Sequence, residues 1–404
     1  MRQHLRRYLF SLLAALTLLC AAAVGVSWAV DPYRIFHTAV EGEPVEGIGP
    51  FTRITKPYMA RNIAPRILLA GSSRAEYALV PSEAERLLGE GPAFNAALSG
   101  PNIYEVRRMI DHANGVGNVR TLVLGLDFYM FNAQLAPQDA FSDARLAVTP
   151  QGARNHLGWL SDLPLALLSI DTLEAVRKAL KYRGRGDPCQ DIWYRDGTRL
   201  PGLLECEAAT NRGFRDSTSS TLKFYLTSKT LYKDYRLNPG GLAHIAHVLE
   251  EAAARGQRVV LYFSPVQALH LGAIDKAGLW PLFETWKKEI FRLAERARKE
   301  GADIALWDYA RLSPLTAVTL PPENEEPWQG AFYDSHHVRP EVGKRMIAEM
   351  LAAGAERPEA GGVRLTASNL DDELAHQRAA FLAWWQAHEE ARIFLNDALP
   401  EESR

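Results

Sequence analysis

The sequence predicts an α/β fold in three layers, built on a five-stranded parallel sheet and preceded by one membrane-spanning helix. Three observations carry this. Five short β-rich runs alternate with helical patterns: "RILLA" (66–70), "AFNAAL" (93–98), "TLVLGLD" (121–127), "RVVLYFS" (258–264) and "DIALWDY" (303–309). The first, third and fourth are nearly continuous apolar runs, as strands buried on both faces require. The segment from Tyr8 to Val30 carries no charge.

At about 1.5 Å per residue, that uncharged segment crosses a hydrocarbon core of roughly 30 Å. Arg2, Arg6 and Arg7 precede it, which places the N-terminus inside and the remaining chain outside. The rival is a cleaved signal peptide: "SWA", ending at Ala29, is a passable cleavage site, yet the apolar region exceeds the usual length of about 7–15 residues. Cys20 follows bulky Leu19, which argues against lipid modification of that cysteine. Residues 1–30 are therefore expected to be a signal anchor. Residues 31–62, with scattered Pro and Gly and weak periodicity, read as a stalk packed loosely on the globular domain.

That globular domain spans 63–355. "SEAERLLGE" comes after the first strand, and "IYEVRRMIDHA" after the second, with Ile103, Val106 and Ile110 on one face. "GLAHIAHVLEEAAARG" and "LFETWKKEIFRLAERARKEG" precede the fourth and fifth strands; the latter ends in basic residues and Gly301, as a helix C-terminus should. "PEVGKRMIAEMLAA" closes the series. Alternating strand and helix imply a parallel sheet covered on both faces. About residues 131–240 the alternation fails, and the polar, turn-rich sequence reads as an insertion over one end of the sheet. Residues 364–404 form a helical tail, with a charged helix from Asn369 to Leu399 carrying Phe381, Trp384 and Trp385.

Composition narrows the function. The chain has 404 residues, 47% hydrophobic and 23% charged, with a net charge of −2, so it carries no nucleic-acid footprint. Cys189 and Cys206 lie together in the outer part. An oxidising compartment would let them pair, the alternative being two free thiols.

In an open α/β sheet, ligands bind at the carboxyl ends of the strands. After the first strand stands Gly71-Ser72-Ser73-Arg74. Glycine permits a tight turn, and a serine at a helix start is exposed near unpaired N–H groups. Serine is also the favoured N-cap residue, so the stretch alone reads equally as a cap. A nucleophile needs a base and an orienting group. Among 11 histidines, His244 and His247 form an H-x-x-H pair without further metal ligands and are expected on a solvated helix face; His376 and His388 sit on the charged tail. "YDSHHVRPEVGKRM" differs, because Asp334 and His337 are three apart before the last helix of the domain. In a turn, that carboxylate reaches the imidazole of the same segment, although the segment alone reads equally as a capping Asp beside surface histidines.

A Gly-x-Ser turn after the first strand, with Asp-x-x-His before the last helix, resembles the SGNH/GDSL hydrolase superfamily. The resemblance covers roughly residues 66–353, interrupted by the insertion. With its anchor and "GSS" form, the chain looks like the membrane-anchored cell-envelope branch, which includes teichoic-acid D-alanylation and alginate-type O-acetylation proteins. The resemblance implies a flavodoxin-like sheet, Ser73 as nucleophile, His337 as base and Asp334 as its orienting acid. It puts Ser72 in place of the usual aspartate. Gly100 is the backbone oxyanion donor, and Ser72, Arg74 and Asp127 stand on the oxyanion or substrate side. It implies no cofactor and no metal. Asp127 stands where the family carries an asparagine donor, and an ionised carboxylate cannot donate. It is therefore protonated, turned away, or holding another group such as Arg74 or a polar substrate group.

Two functions arise as expectations. One is an extracytoplasmic esterase or O-acyltransferase acting on a cell-envelope or exported polysaccharide, with a membrane acyl-donor partner. The other is a catalytically weak glycan-binding or scaffold subunit. Asp127, Trp193 and Tyr194 in the insertion, and Trp384 and Trp385 favour the second; core packing is the alternative for those aromatics.

Overall fold

The computed structural model describes residues 2–37, 45–46, 48–182, 188–323, 330–352 and 360–399. Parts of the expected stalk, insertion and tail lie outside them. The main sheet has six strands: β1 (Ile67–Ala70), β2 (Ala93–Asn95), β3 (Thr121–Leu126), β4 (Arg258–Phe263), β5 (Ile304–Asp308) and β6 (Val363–Arg364). Their order is β2-β1-β3-β4-β5-β6, with the first five parallel and β6 antiparallel to β5.

The side-chain period of two divides each central strand between two cores. Leu68, Leu122, Leu124, Leu261 and Leu306 pack on one face with Met59, Ile110, Ile245 and Trp286 from the helices there. Ile67, Leu69, Val123, Val260 and Trp307 pack on the other with Ala78, Val342 and Met346. Both faces are thus covered, which is why these strands read as unbroken apolar runs.

Four expectations need correction. The sheet has six strands rather than five, and the sixth runs antiparallel. The stalk is not loose throughout: Thr52–Ile63 is a helix buried nearly all round, and Met59, Ala60 and Ile63 enter the core. The C-terminal segment is two helices, Leu370–Ala387 and Glu389–Asp397, meeting at His388, and it comes after the sixth strand. It docks through Gln377, whose Oε1 accepts from buried Lys287 at 2.9 Å while Lys287 also pairs with Asp308 at 2.7 Å. His244 and His247 are half-buried rather than fully solvated. The His244 ring meets that of Tyr104 at a tilt, with centroids 5.3 Å apart, and the His247 ring nitrogen lies 3.0 Å from Arg107, because their helix packs on Ile103–Val116.

The insertion is organised. Gly158–Leu168 and Ile170–Tyr182 form helices, and Ile192–Trp193 and Arg199–Leu200 form a hairpin that also pairs with Val45–Glu46. Cys189 and Cys206 are joined in a disulfide that closes this region. The N-terminal helix, Arg2–Val30, is long and apolar enough to cross a membrane, and its apolar window is unburied.

Candidate active site

The Gly71–Ser73 turn is built from its backbone. β1 ends at Ala70 and the chain reverses at Gly71, whose φ is +146°. A Cβ there would lie 2.8 Å from the Ala75 Cβ and 3.0 Å from the Gly125 carbonyl oxygen, so only glycine fits. The helix Ser73–Ala78 starts at once, and its N-cap Ser72 Oγ accepts from the Arg74 N–H at 3.1 Å. Such a cap contributes about 1 kcal/mol. The two serines therefore divide the work: Ser72 caps and is buried, while Ser73 is partly exposed.

The partner of Ser73 comes from a distant part of the chain. Residues 332–338 form a closed turn, with a bridge between Phe332 and Val338 and the Tyr333 N–H donating to the His337 carbonyl at 2.8 Å. Gln267, just beyond β4, fixes this turn to the carboxyl edge of the sheet: its Nε2 donates to the Asp334 carbonyl at 2.7 Å, and its N–H to that of Ser335 at 3.0 Å. His337 Nε2 then lies 2.9 Å from Ser73 Oγ, and His337 Nδ1 lies 2.7 Å from Asp334 Oδ2. Residues 264 apart in sequence thus share one hydrogen bond. The other Asp334 oxygen accepts the backbone N–H groups of His336 and His337, each at 2.8 Å. Burial alone would push the Asp334 carboxyl up. The His337 charge and hydrogen bond, with the two backbone donors, outweigh it and hold the group below its ordinary value of 3.8.

Asp127 is engaged beneath the turn. One oxygen accepts from Ser72 Oγ, and the other lies 3.3 Å from Arg74 Nη1. Of the three states open to it in the sequence, it is the one holding Arg74. Ser72, Arg74 and Asp127, which the resemblance sets on the oxyanion or substrate side, are all three buried and bonded to one another beneath Ser73. Burial opposes the Arg74 charge, but Asp127 and the surrounding phenols overcome that and keep it protonated.

The buried chain continues. Arg74 Nη2 donates to Tyr225 Oη at 3.2 Å and faces His270 Nε2 at 3.3 Å. Arginine has no acceptor, so His270 Nε2 accepts and its proton sits on Nδ1, 3.1 Å from Ser335 Oγ. Ser335 Oγ lies 3.3 Å from His336 Nδ1, and the His336 and His337 rings are in tilted contact with centroids 3.9 Å apart. Burial first, and neighbouring positive charge second, push His270 and His336 well below the ordinary histidine range, so both are neutral at physiological pH. Asp334, His336 and His337 offer ligand atoms within 4.8 Å of one another. Their hydrogen bonds to one another, to Ser73 and to Ser335 account for the arrangement without an ion.

A second buried ion cluster stands behind the helix of Ser73. Glu76 meets Lys56 Nζ at 2.9 Å and Arg199 Nη1 at 2.7 Å, and accepts from Ser99 Oγ at 2.8 Å. Burial would raise the Glu76 carboxyl; Lys56 and Arg199 overcome it and hold it at about 2. Arg199 also lies over the Tyr77 ring at 4.2 Å, and Tyr77 meets His337 edge-on at 4.9 Å. The insertion hairpin therefore braces the helix Ser73–Ala78.

Gly100 is exposed at a left-handed turn, φ +59°, beyond β2. The Leu98 N–H donates to the Gly71 carbonyl at 3.1 Å, which sets this loop beside the Gly71–Ser73 turn. Of the aromatics offered as a contact surface, Trp193 is buried with its indole 3.3 Å from Glu76, whereas Tyr194, Trp384 and Trp385 are half-buried, Trp385 packing on Phe381 and against Gly272.

Sequence reasoning missed Glu76, Lys56, Arg199, His270 and His336. The His336–His337 doublet was a visible signal for the last. Glu76, three residues after Ser73, resembles a capping-box acid and so concealed its burial. No family model matches the chain, and no curated protein matches it in sequence.

Proposed function

We propose that the chain is an extracytoplasmic serine acyl-ester hydrolase or O-acyltransferase of the SGNH type, tethered by its N-terminal helix. The observation that carries this is the hydrogen-bond chain Ser73–His337–Asp334, at 2.9 and 2.7 Å, at a partly open edge of the sheet. The order β2-β1-β3-β4-β5 of the parallel strands supports a flavodoxin-like assignment.

Ser73 Oγ attacks an ester carbonyl carbon as His337 Nε2 takes its proton. Asp334 orients the ring and stabilises the imidazolium. The backbone N–H groups of Ser73 and Gly100 are the donors for the oxyanion. Collapse breaks the ester bond, the alcohol leaves with the proton from His337, and the acyl group remains on Ser73. His337 then deprotonates water, giving an esterase, or a sugar hydroxyl, giving a transferase. A membrane-tethered site suits a cell-envelope or exported polysaccharide, with acyl groups brought by a membrane partner.

One observation favours a second reading, a catalytically weak glycan-binding or scaffold subunit. Asp127 replaces a side-chain donor, a loss of about 10²–10³ in rate in comparable sites. Turnover of p-nitrophenyl acetate by the full chain in detergent separates the two. Hydrolysis abolished by Ser73→Ala supports the enzyme. A folded chain with no turnover beyond that of Ser73→Ala supports the scaffold. Adding an oligosaccharide acceptor then divides hydrolysis from transfer.

A further inference from the structure

Exposed apolar side chains are not scattered over this molecule. Outside the N-terminal helix, eleven large hydrophobic residues are exposed among those described, and six of them fall within 157–180: Leu157, Leu160, Leu168, Ile170, Leu173 and Leu180. Ile170 is 84% exposed and Leu157 66%. They lie on or beside the helices Gly158–Leu168 and Ile170–Tyr182. Isolated exposed leucines need no explanation, whereas a cluster on adjoining helices does.

The opposite faces of the same helices are fastened to the body. Asp162 pairs with Arg145 at 2.6 Å and accepts from Tyr58 Oη at 2.9 Å. Ala166 and Ala175 are buried with Tyr33, Phe51, Ile54 and Tyr58. The outward apolar face is therefore a fixed surface of two well-seated helices.

Its place is set by the N-terminal helix, which both helices contact. Exposure along that helix falls only at Ala23, Val24, Ser27 and Val30, one stripe over its last two turns. Those turns occupy about the last 10 Å of an uncharged span of about 34 Å. If the span crosses a bilayer with its end at the surface, the two helices meet it in the outer headgroup and upper acyl region. Their composition suits that depth. On Ile170–Tyr182, Ile170, Leu173, Arg177 and Leu180 share one face by helical spacing, and an arginine at such a level extends its charged end to the surface. Trp28, 53% exposed near the end of the span, stands where an interfacial aromatic belongs.

We infer that the helices Gly158–Leu168 and Ile170–Tyr182 form a collar that lies in the outer lipid surface around the N-terminal span, and so fixes the orientation of the domain to the membrane. The occupant of the apolar face is the bilayer, continuous with the lipid around the span. The inference rests on the reading of residues 2–30 as an uncleaved anchor.

The test uses the full chain in phospholipid vesicles. In a Cys20→Ser background, Leu16→Cys, Leu160→Cys, Leu173→Cys and Ile393→Cys each carry one bimane, and a lipid with a nitroxide on its acyl chain is the quencher. Quenching at Leu160 and Leu173 within about twofold of that at Leu16, with little at Ile393, supports the collar. Quenching at Leu16 while Leu160 and Leu173 behave like Ile393 overturns it and leaves the anchor standing. No quenching at Leu16 removes the anchor and the collar together. A photoreactive lipid acyl chain applied to the unaltered protein gives an independent readout: adducts on peptides spanning 157–180 are expected, and adducts confined to residues 2–30 contradict the inference.

Discussion

Replacing Asp127 by asparagine restores the residue type that the resembled family carries at this place, and two accounts of Asp127 then give opposite results. If its carboxylate faced the oxyanion, the amide would supply a donor and the rate would rise by about 10²–10³. The structure instead commits both oxygens beneath the turn, one to Ser72 and one to Arg74 at 3.3 Å. Asparagine keeps one acceptor oxygen, so it serves one partner and turns an amide N–H toward the other. A hydrogen bond to a charged group contributes roughly 1.5–3 kcal/mol, and removing the partner of a buried charge costs about 3–5 kcal/mol. Arg74 keeps Tyr225 and His270 in both variants. Asp127→Asn is therefore expected to lose about 2–3 kcal/mol and Asp127→Ala about 3–5 kcal/mol, with no gain in rate. Denaturant titration of the full chain, with acetyl ester turnover on the same samples, reads both quantities. A rate increase at unchanged stability would refute the placement of Asp127.

Other outcomes stem from the same geometry. Ser72→Ala removes the cap and the Asp127 donor, costing about 1–2 kcal/mol in denaturant titration while the Ser73 nucleophile is retained. Asp334→Asn is expected to reduce turnover by about 10³–10⁴ with the fold intact, checked by steady-state rates and circular dichroism. Glu76, whose carboxyl sits at about 2 in the folded protein against an ordinary 4.5, contributes stability that is complete above 4.5 and is lost as pH falls toward 2. Glu76→Gln should flatten that acid limb and leave Lys56 unpaired, at a cost of roughly 3–5 kcal/mol near neutral pH. Replacing Cys189 and Cys206 together by serine frees a loop of 17 residues' separation and should lower stability by about 3 kcal/mol in the same titration.

The sheet was legible because its central strands are buried on both faces and leave continuous apolar runs at 67–70, 121–126 and 258–263. The sixth strand was not, since Val363–Arg364 is two residues long and owes its pairing to its partner, β5. Thr52–Ile63 hid for a related reason: Lys56 and Pro57 break its apolar pattern, yet the lysine is buried against Glu76, a partner that becomes visible only in three dimensions. Ser73, Asp334 and His337 could be named from local chemistry because each half of the site is short: a glycine turn before a helix, and a carboxylate three residues from a histidine. The residue that joins the halves, Gln267 holding the second turn to the sheet, is an amide in an ordinary apolar context. The roles of Ser72, Arg74 and Asp127 depend on burial, which periodicity does not report for residues in turns.

The central claim is that Ser73 is a nucleophile activated by His337 and Asp334. Its most direct test is peptide mass spectrometry of the full chain after a serine-directed fluorophosphonate. The account predicts a single adduct on Ser73, absent in Ser73→Ala, strongly reduced in His337→Ala, and retained in Ser72→Ala. A folded chain that takes up no label, or takes it on Ser72, would contradict it.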